Sequence, residues 1–222
     1  MDKFNLSEIG INVDFIPVVD SGLRIIAYEA LISLEENNPN QEDFEFHASE
    51  LHEVQANMDR YYKKLAIESY KASLPLILNT YPNVSDPYPS SLPQPRGHEV
   101  ILTVTPPVVW LNGFVMGRYD QLSSQGVSFA LADFGQSFLS LPFLLHLRPT
   151  IIKLADNVIQ SCMIDDEILK TVSNLMKPYR EMGIKILAGG INSRVQFERM
   201  TLVADAFQGY WFSKLGGEPT LL

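Results

Sequence analysis

Short apolar runs rich in β-branched residues punctuate the chain at 13–19, 23–31, 76–80, 100–105, 127–131, 151–154 and 184–188, with an end piece at 206–212. Runs of this kind, bounded by turn formers, read as buried strands. Between them lie helical patterns at 48–72 and 165–182, and shorter ones at 108–123, 137–147 and 193–203. Alternating strands and helices predict an α/β protein with a parallel sheet, and seven or eight strands predict a closed (β/α)8 TIM-like barrel rather than an open sheet. Only Asp20-Ser21-Gly22 separates the first two runs, so they form a hairpin and one strand is antiparallel. The stretch YPNVSDPYPSSLPQPRG holds five prolines, which leaves no room for a helix and predicts a missing crossover helix around 82–97. A loop this long is either a functional segment or a solvated connection.

Composition narrows the class. The 222 residues are 46% apolar and 19% charged, enough to bury a large core in one domain spanning 1–222. A net charge of −9 with no Lys/Arg run longer than two excludes a surface that tracks nucleic acid. No window approaches the roughly 18 uncharged apolar residues of a membrane span, and MDKFNLSEIGINVDF lacks a basic stretch followed by an apolar core, so a cytoplasmic location is expected. The start methionine and the end shortly after the last strand fit a stand-alone domain, although an excised one would look the same. Cys162 is the single cysteine, which excludes an internal disulfide and a multi-cysteine zinc site.

In a parallel barrel, chemistry sits where the strands end, so polar residues closing apolar runs are the candidates. They are Glu29 in AYEALI, Asn79 in LILNTYP, Asp133 in FALADFG, Lys153 in TIIKLAD and Gln208 in AFQGYWF. Any one of them could simply bond a neighbouring loop; together they form a constellation. Lys153, between Ile152 and Leu154, could be a Schiff-base or general-base lysine, but an ion pair with Glu29 or Asp133 across the mouth is the preferred role. His47 and His52 are five residues apart and do not share a helical face. Gly189-Gly190 has no lysine opening a helix after it, so it reads as space rather than a phosphate loop.

The triplet Glu29-Ala30-Leu31 stands where the EAL family carries the triplet that names it. FIPVVDSGLRIIAYEALISL is similar to that family's first hairpin, MDRYYKKLAIE to the start of its first long helix, GVSFALADFGQSFLSLPFLLHLRPTIIKLAD to its fifth strand through its sixth, and DAFQGYWFSKL to its closing strand. The resemblance runs from about residue 13 to 215. It implies a barrel of EAL type that hydrolyses cyclic di-GMP with two Mg²⁺ or Mn²⁺ ions, which clamp the attacking and leaving oxygens and need several carboxylates. By position, Glu29, Asn79 and Asp133 match metal ligands that are kept, and Lys153 matches the lysine that orients the attacking water. Four carboxylates are missing: the fourth-strand glutamate is Thr103, the first Asp of the DDFG motif is Ala132, and the EGVE motif reads Gly189-Gly190-Ile191-Asn192. Two residues implied for the ligand are also changed, to Ile16 and Ser33.

A degenerate and catalytically inactive member is therefore expected, with no cofactor and at most a weak relic site for one cation between Glu29, Asn79 and Asp133. The preferred function is a regulatory module of bacterial signalling that binds another protein, a regulator or a signalling enzyme. PPVVWLNGFVMGRYDQL supports it, because its apolar residues cover more than one helical face; a well-buried helix would read the same way. The resemblance further implies a possible homodimer through the stretch from Gly135 to Leu147. The alternatives are a weak or metal-independent cyclic di-GMP receptor, a doubtful reading without the family's arginine, and a residual phosphodiesterase.

Overall fold

The computed structural model describes residues 11–34, 52–80, 97–104, 121–136 and 147–212, together with Tyr88, Ser90, Leu92, Pro93 and Leu144. Eight strands close into a barrel in chain order: β1 (Ile11–Asp20), β2 (Ile25–Leu34), β3 (Leu76–Leu78), β4 (Val100–Val104), β5 (Val127–Phe134), β6 (Ile151–Leu154), β7 (Lys185–Ala188) and β8 (Ala206–Phe207). β1 runs antiparallel to both β2 and β8, and every other pair is parallel. The TIM-like barrel and the antiparallel first hairpin are thus those the sequence predicts.

The hairpin turn is tighter than the apolar pattern suggests. Leu23 sits in the turn at φ 62°, so β2 begins at Ile25 rather than at residue 23. The Asp20 carboxylate accepts hydrogen bonds from Gly22 N at 2.8 Å, Arg24 N at 3.0 Å and Arg24 Nε at 2.8 Å. The Arg24 side chain, above all, holds that carboxyl below its ordinary pKa.

Outside the barrel lie α1 (His52–Ser69), α2 (Asp156–Ile164), α3 (Asp166–Glu181) and α4 (Arg194–Met200). Helix α2 escaped the sequence reading, which started its helix at 165. The cause is local: Ala155 at the N-cap of α2 offers no side-chain acceptor, whereas Asp165 caps α3 by accepting from Glu167 N and Ile168 N. The visible start signal marked the second helix of the pair. Most of 82–97 lies outside the described residues; within it Tyr88 and Leu92 are buried, and the Tyr88 hydroxyl donates to Pro93 O at 2.7 Å.

Period-two alternation splits the strand side chains into two layers. Outward residues such as Leu76, Leu102, Phe129, Ile152, Ile186 and Phe207 pack against the helices in one cluster. Inward residues Val18, Ala27, Ile77, Ile101, Ala130, Ile151, Leu187 and Ala206, one from each strand, form a second cluster that fills the barrel. This inner plug fixes the height at which chemistry can begin.

Candidate functional site at the barrel mouth

Two residues further toward the carboxyl end of each parallel strand, and two back along antiparallel β1, the next inward ring reads Ile16, Glu29, Asn79, Thr103, Ala132, Lys153, Gly189 and Gln208. Of the strand-end candidates, Glu29, Asn79, Lys153 and Gln208 therefore share one ring. Glu29 is 1% exposed and pairs across the hairpin with Ile16. Its Oε1 and Oε2 each accept from Lys153 Nζ at 3.0 Å, and Oε1 also accepts from Asn79 Nδ2 at 2.9 Å. Of the two carboxylates open to Lys153 from sequence, the ammonium takes Glu29, so it is engaged in an ion pair rather than free to attack a carbonyl.

The fourth member of the network is Thr103, whose hydroxyl donates to Asn79 Oδ1 at 2.7 Å and lies 3.1 Å from Leu78 O. The Asn79 amide orientation follows from its neighbours: a carboxylate only accepts, so the nitrogen faces Glu29 and the oxygen faces Thr103. The chain Lys153–Glu29–Asn79–Thr103 is closed, each group satisfied by the next. Thr103→Val removes the donor to Asn79 Oδ1 without changing shape, and about 1–2 kcal/mol of stability is expected to go with it, read by urea denaturation.

Asp133 stands apart from this network. It follows Ala132 in β5 at the irregularity between Leu131 and Phe134, at φ 53°, with an exposed side chain that bonds none of the described residues. No hydrogen bond joins Asp133 to Glu29 or Asn79, the two residues with which it would form a relic cation site. Asn192 is exposed too, and its backbone N–H serves the start of α4 by donating to Gln196 Oε1 at 2.7 Å. Ser33 lies on β2, while His47, residues 108–120 of the helical pattern expected at 108–123, and most of the stretch from Gly135 to Leu147 lie outside the described residues. Arg148 precedes β6 at the far end of the barrel, and Arg194 spends its charge on Glu198 at 2.7 Å.

Burial raises the Cys162 thiol, against a smaller lowering by Arg199, so it packs as an inert apolar group. Sequence reasoning missed Tyr62 of α1, whose hydroxyl donates to Ala30 O at 2.5 Å and accepts from Asn79 N at 3.4 Å. Tyr62 thus ties the Glu29-Ala30-Leu31 strand to the end of β3. No spacing signal in the sequence links residues 62, 30 and 79.

The donor set does not fit two divalent cations. Hard dications need anionic oxygens, and the ring offers one carboxylate, with both oxygens bonded to an ammonium and one to an amide. The Asn79 oxygen is occupied by Thr103. Among the described residues no three His, Cys, Asp or Glu side chains converge to hold a metal.

Fold and ring together define a TIM-type barrel with a polar, hydrogen-bonded mouth at the carboxyl ends of its strands. The chain belongs to the EAL domain family, whose model matches residues 95–215, more than half of its length. It is 25% identical over 120 residues to the oxygen sensor protein DosP of Escherichia coli (strain K12), covering 53% of this chain and 15% of that protein. It is 28% identical over 96 residues to the cyclic di-GMP phosphodiesterase PdeL of Escherichia coli (strain K12), covering 43% of this chain and 26% of that one. The chain thus matches well under two thirds of either relative. In fold it resembles a standalone EAL protein from Vibrio cholerae O395 solved with c-di-GMP bound, at a TM-score of 0.70 and 19% identity over 91% of this chain and 90% of that one. It also resembles the PaMucR phosphodiesterase in complex with c-di-GMP, at a TM-score of 0.64 and 22% identity over 92% and 91%. The family match begins beyond Glu29-Ala30-Leu31, in the half that contributes Lys153 and Gln208.

Proposed function

We propose that this protein is a catalytically silent EAL domain that takes part in cyclic di-GMP signalling by binding another protein. The observation that carries the reading is the closed network at the mouth. Phosphodiester hydrolysis by two metals requires anionic oxygens free to hold them and to lower the pKa of a bound water. Here the one ring carboxylate is spent on Lys153 and Asn79, and the positions that would add others are Thr103, Ala132 and Gly189. Lys153 neutralises the one carboxylate of the ring.

Binding of a partner is supported by large apolar side chains left in solvent: Ile164 (87% exposed), Leu175, Met182, Val195, Leu202 and Tyr210. Each alone is ordinary, and together they leave apolar area in solvent that a partner could cover. A nucleotide receptor keeps less support, because the ring presents Ile16 opposite Glu29 where a polar contact would serve a ligand. Isothermal calorimetry of the purified protein with cyclic di-GMP and Mg²⁺ tests the ranking. No heat is expected at high ligand concentration, and saturable one-site heat would make the protein a nucleotide receptor instead.

A further inference from the structure

Away from the mouth, at the end of the barrel where the parallel strands begin, a cleft of about 770 Å³ opens between the carboxyl end of α3 and the turn that leads into β6. Small-molecule pockets span roughly 300–1,000 Å³. The lining is mostly apolar: Leu144, Pro149 and Ile184 are buried, Tyr179 is half-buried, and Leu175 and Met182 stand 54% and 63% exposed. Spacings of three, four and seven bring Leu175, Pro178, Tyr179 and Met182 to one side of α3. Gly183 follows them with no heavy atom within 4 Å of its Cβ position, so the space continues past the end of the helix.

The one charged residue in that lining is Arg148. It is exposed, and its side chain makes no hydrogen bond or ion pair with the described residues; only its backbone N–H is engaged, donating to Leu144 O at 3.1 Å. The acids around the end of α3 have other cations: Glu181 lies 3.9 Å from Lys177, and Asp205 lies 2.7 Å from Arg180. Arg148 also sits at φ 44°. That conformation favours glycine, and the following Pro149 restricts the residue before it further. An arginine is thus held in a strained backbone position beside an apolar cleft, with its charge answered by no described group.

We propose that this cleft binds an apolar monocarboxylate, such as a medium-length acyl chain, with its apolar body against Leu175, Tyr179 and Met182 and its carboxylate on Arg148. One cation and no anion in the lining call for one negative charge, and the guanidinium fork matches a planar carboxylate. An ammonium would be repelled, and an alcohol would leave the arginine without a counter-charge. An extended peptide fits less well. The N–H groups of Met182, Gly183, Ile184 and Thr150 already donate to Pro178 O, Arg180 O, Tyr179 O and Phe129 O, so none of these is left to pair with a peptide carbonyl. An acyl chain asks for none.

The test uses the ¹⁵N-labelled full chain, following the backbone amides of Gly183 and Thr150 with Gly209, near the mouth, as the reference. Sodium octanoate, sodium butyrate, octanol, octylammonium chloride and the capped peptide acetyl-Leu-Asp-Leu-amide are each titrated against sodium chloride at matched ionic strength. Octanoate is expected to saturate the Gly183 and Thr150 shifts while Gly209 stays in place, at least about tenfold more tightly than butyrate, because its added methylenes leave water. Arg148→Gly is expected to weaken octanoate about tenfold or more, with a thermal midpoint equal to or above that of the wild type, because glycine suits φ 44°. That combination separates a binding arginine from a structural one. Leu175→Glu, at an exposed position, is expected to abolish the response. The proposal is overturned if octanoate moves the amides no more than chloride, if octanol or octylammonium binds as tightly, or if Arg148→Gly binds octanoate as the wild type does. Tighter saturation by the capped peptide would also overturn it and assign the cleft to a protein segment.

Discussion

Lys153→Met is expected to destabilise the protein by about 3 kcal/mol, the lower end of the range for breaking a buried ion pair. Glu29, 1% exposed, would be left with only the Asn79 amide to answer its carboxyl, while Lys153 itself is 26% exposed, so part of its attraction is screened by water. The double variant Glu29→Gln, Lys153→Met removes both charges and leaves an amide beside Asn79. It is expected to return to within about 1 kcal/mol of the wild type, because the cost lies in the orphaned charge rather than in the lost pair. Urea denaturation of the four proteins gives the coupling directly. A loss under about 1 kcal/mol in Lys153→Met would mean that the pair does not hold the mouth together.

Gly209→Ala is expected to cost more than about 4 kcal/mol and to leave little folded protein. At φ +155° a Cβ on residue 209 would stand 2.3 Å from both Ile191 N and Ile191 O and 2.7 Å from Ile191 C. These are backbone atoms in use: Ile191 N donates to Gln208 O at 3.0 Å, and Trp211 N donates to Ile191 O at 3.1 Å. One methyl would separate the segment after β7 from the segment after β8. Gly183→Ala is the control for backbone conformation alone, since Gly183 has φ +85° but nothing within 4 Å of its Cβ position. About 1–2 kcal/mol is expected there. Similar losses in both variants, measured by thermal unfolding, would place the demand at 209 on its dihedral rather than on the close approach.

The barrel was legible because its strands obey a period of two and its turns carry Asp20-Ser21-Gly22 and proline. Strand-end polar residues then pointed to the mouth, and the retained and lost carboxylates to its chemistry. What escaped depends on distance between elements or on weak punctuation. Helix α2 has no capping side chain at its start. The departure of Asp133 follows from an irregularity of β5 and a positive φ that an Ala-Asp-Phe-Gly string does not display. Tyr62 reaches Ala30 across 32 positions, and the buried Lys63 meets Asp59 at 2.6 Å and Thr80 at 2.9 Å, although a lysine in a charged helix pattern reads as solvated. Thr103 was visible as a loss, but its gain, a hydrogen bond that closes the network on Asn79, shows only in the folded ring.

Incubating purified protein with cyclic di-GMP and Mn²⁺ or Mg²⁺, and following linear dinucleotide by chromatography beside a Glu29→Ala control, tests the silence of the mouth most directly. No product above that control is expected, because Glu29 is committed to Lys153 and Asn79. Metal-dependent turnover by the wild type, absent from Glu29→Ala, would show that the carboxylate can exchange its ammonium for metal and would contradict the silent-domain reading.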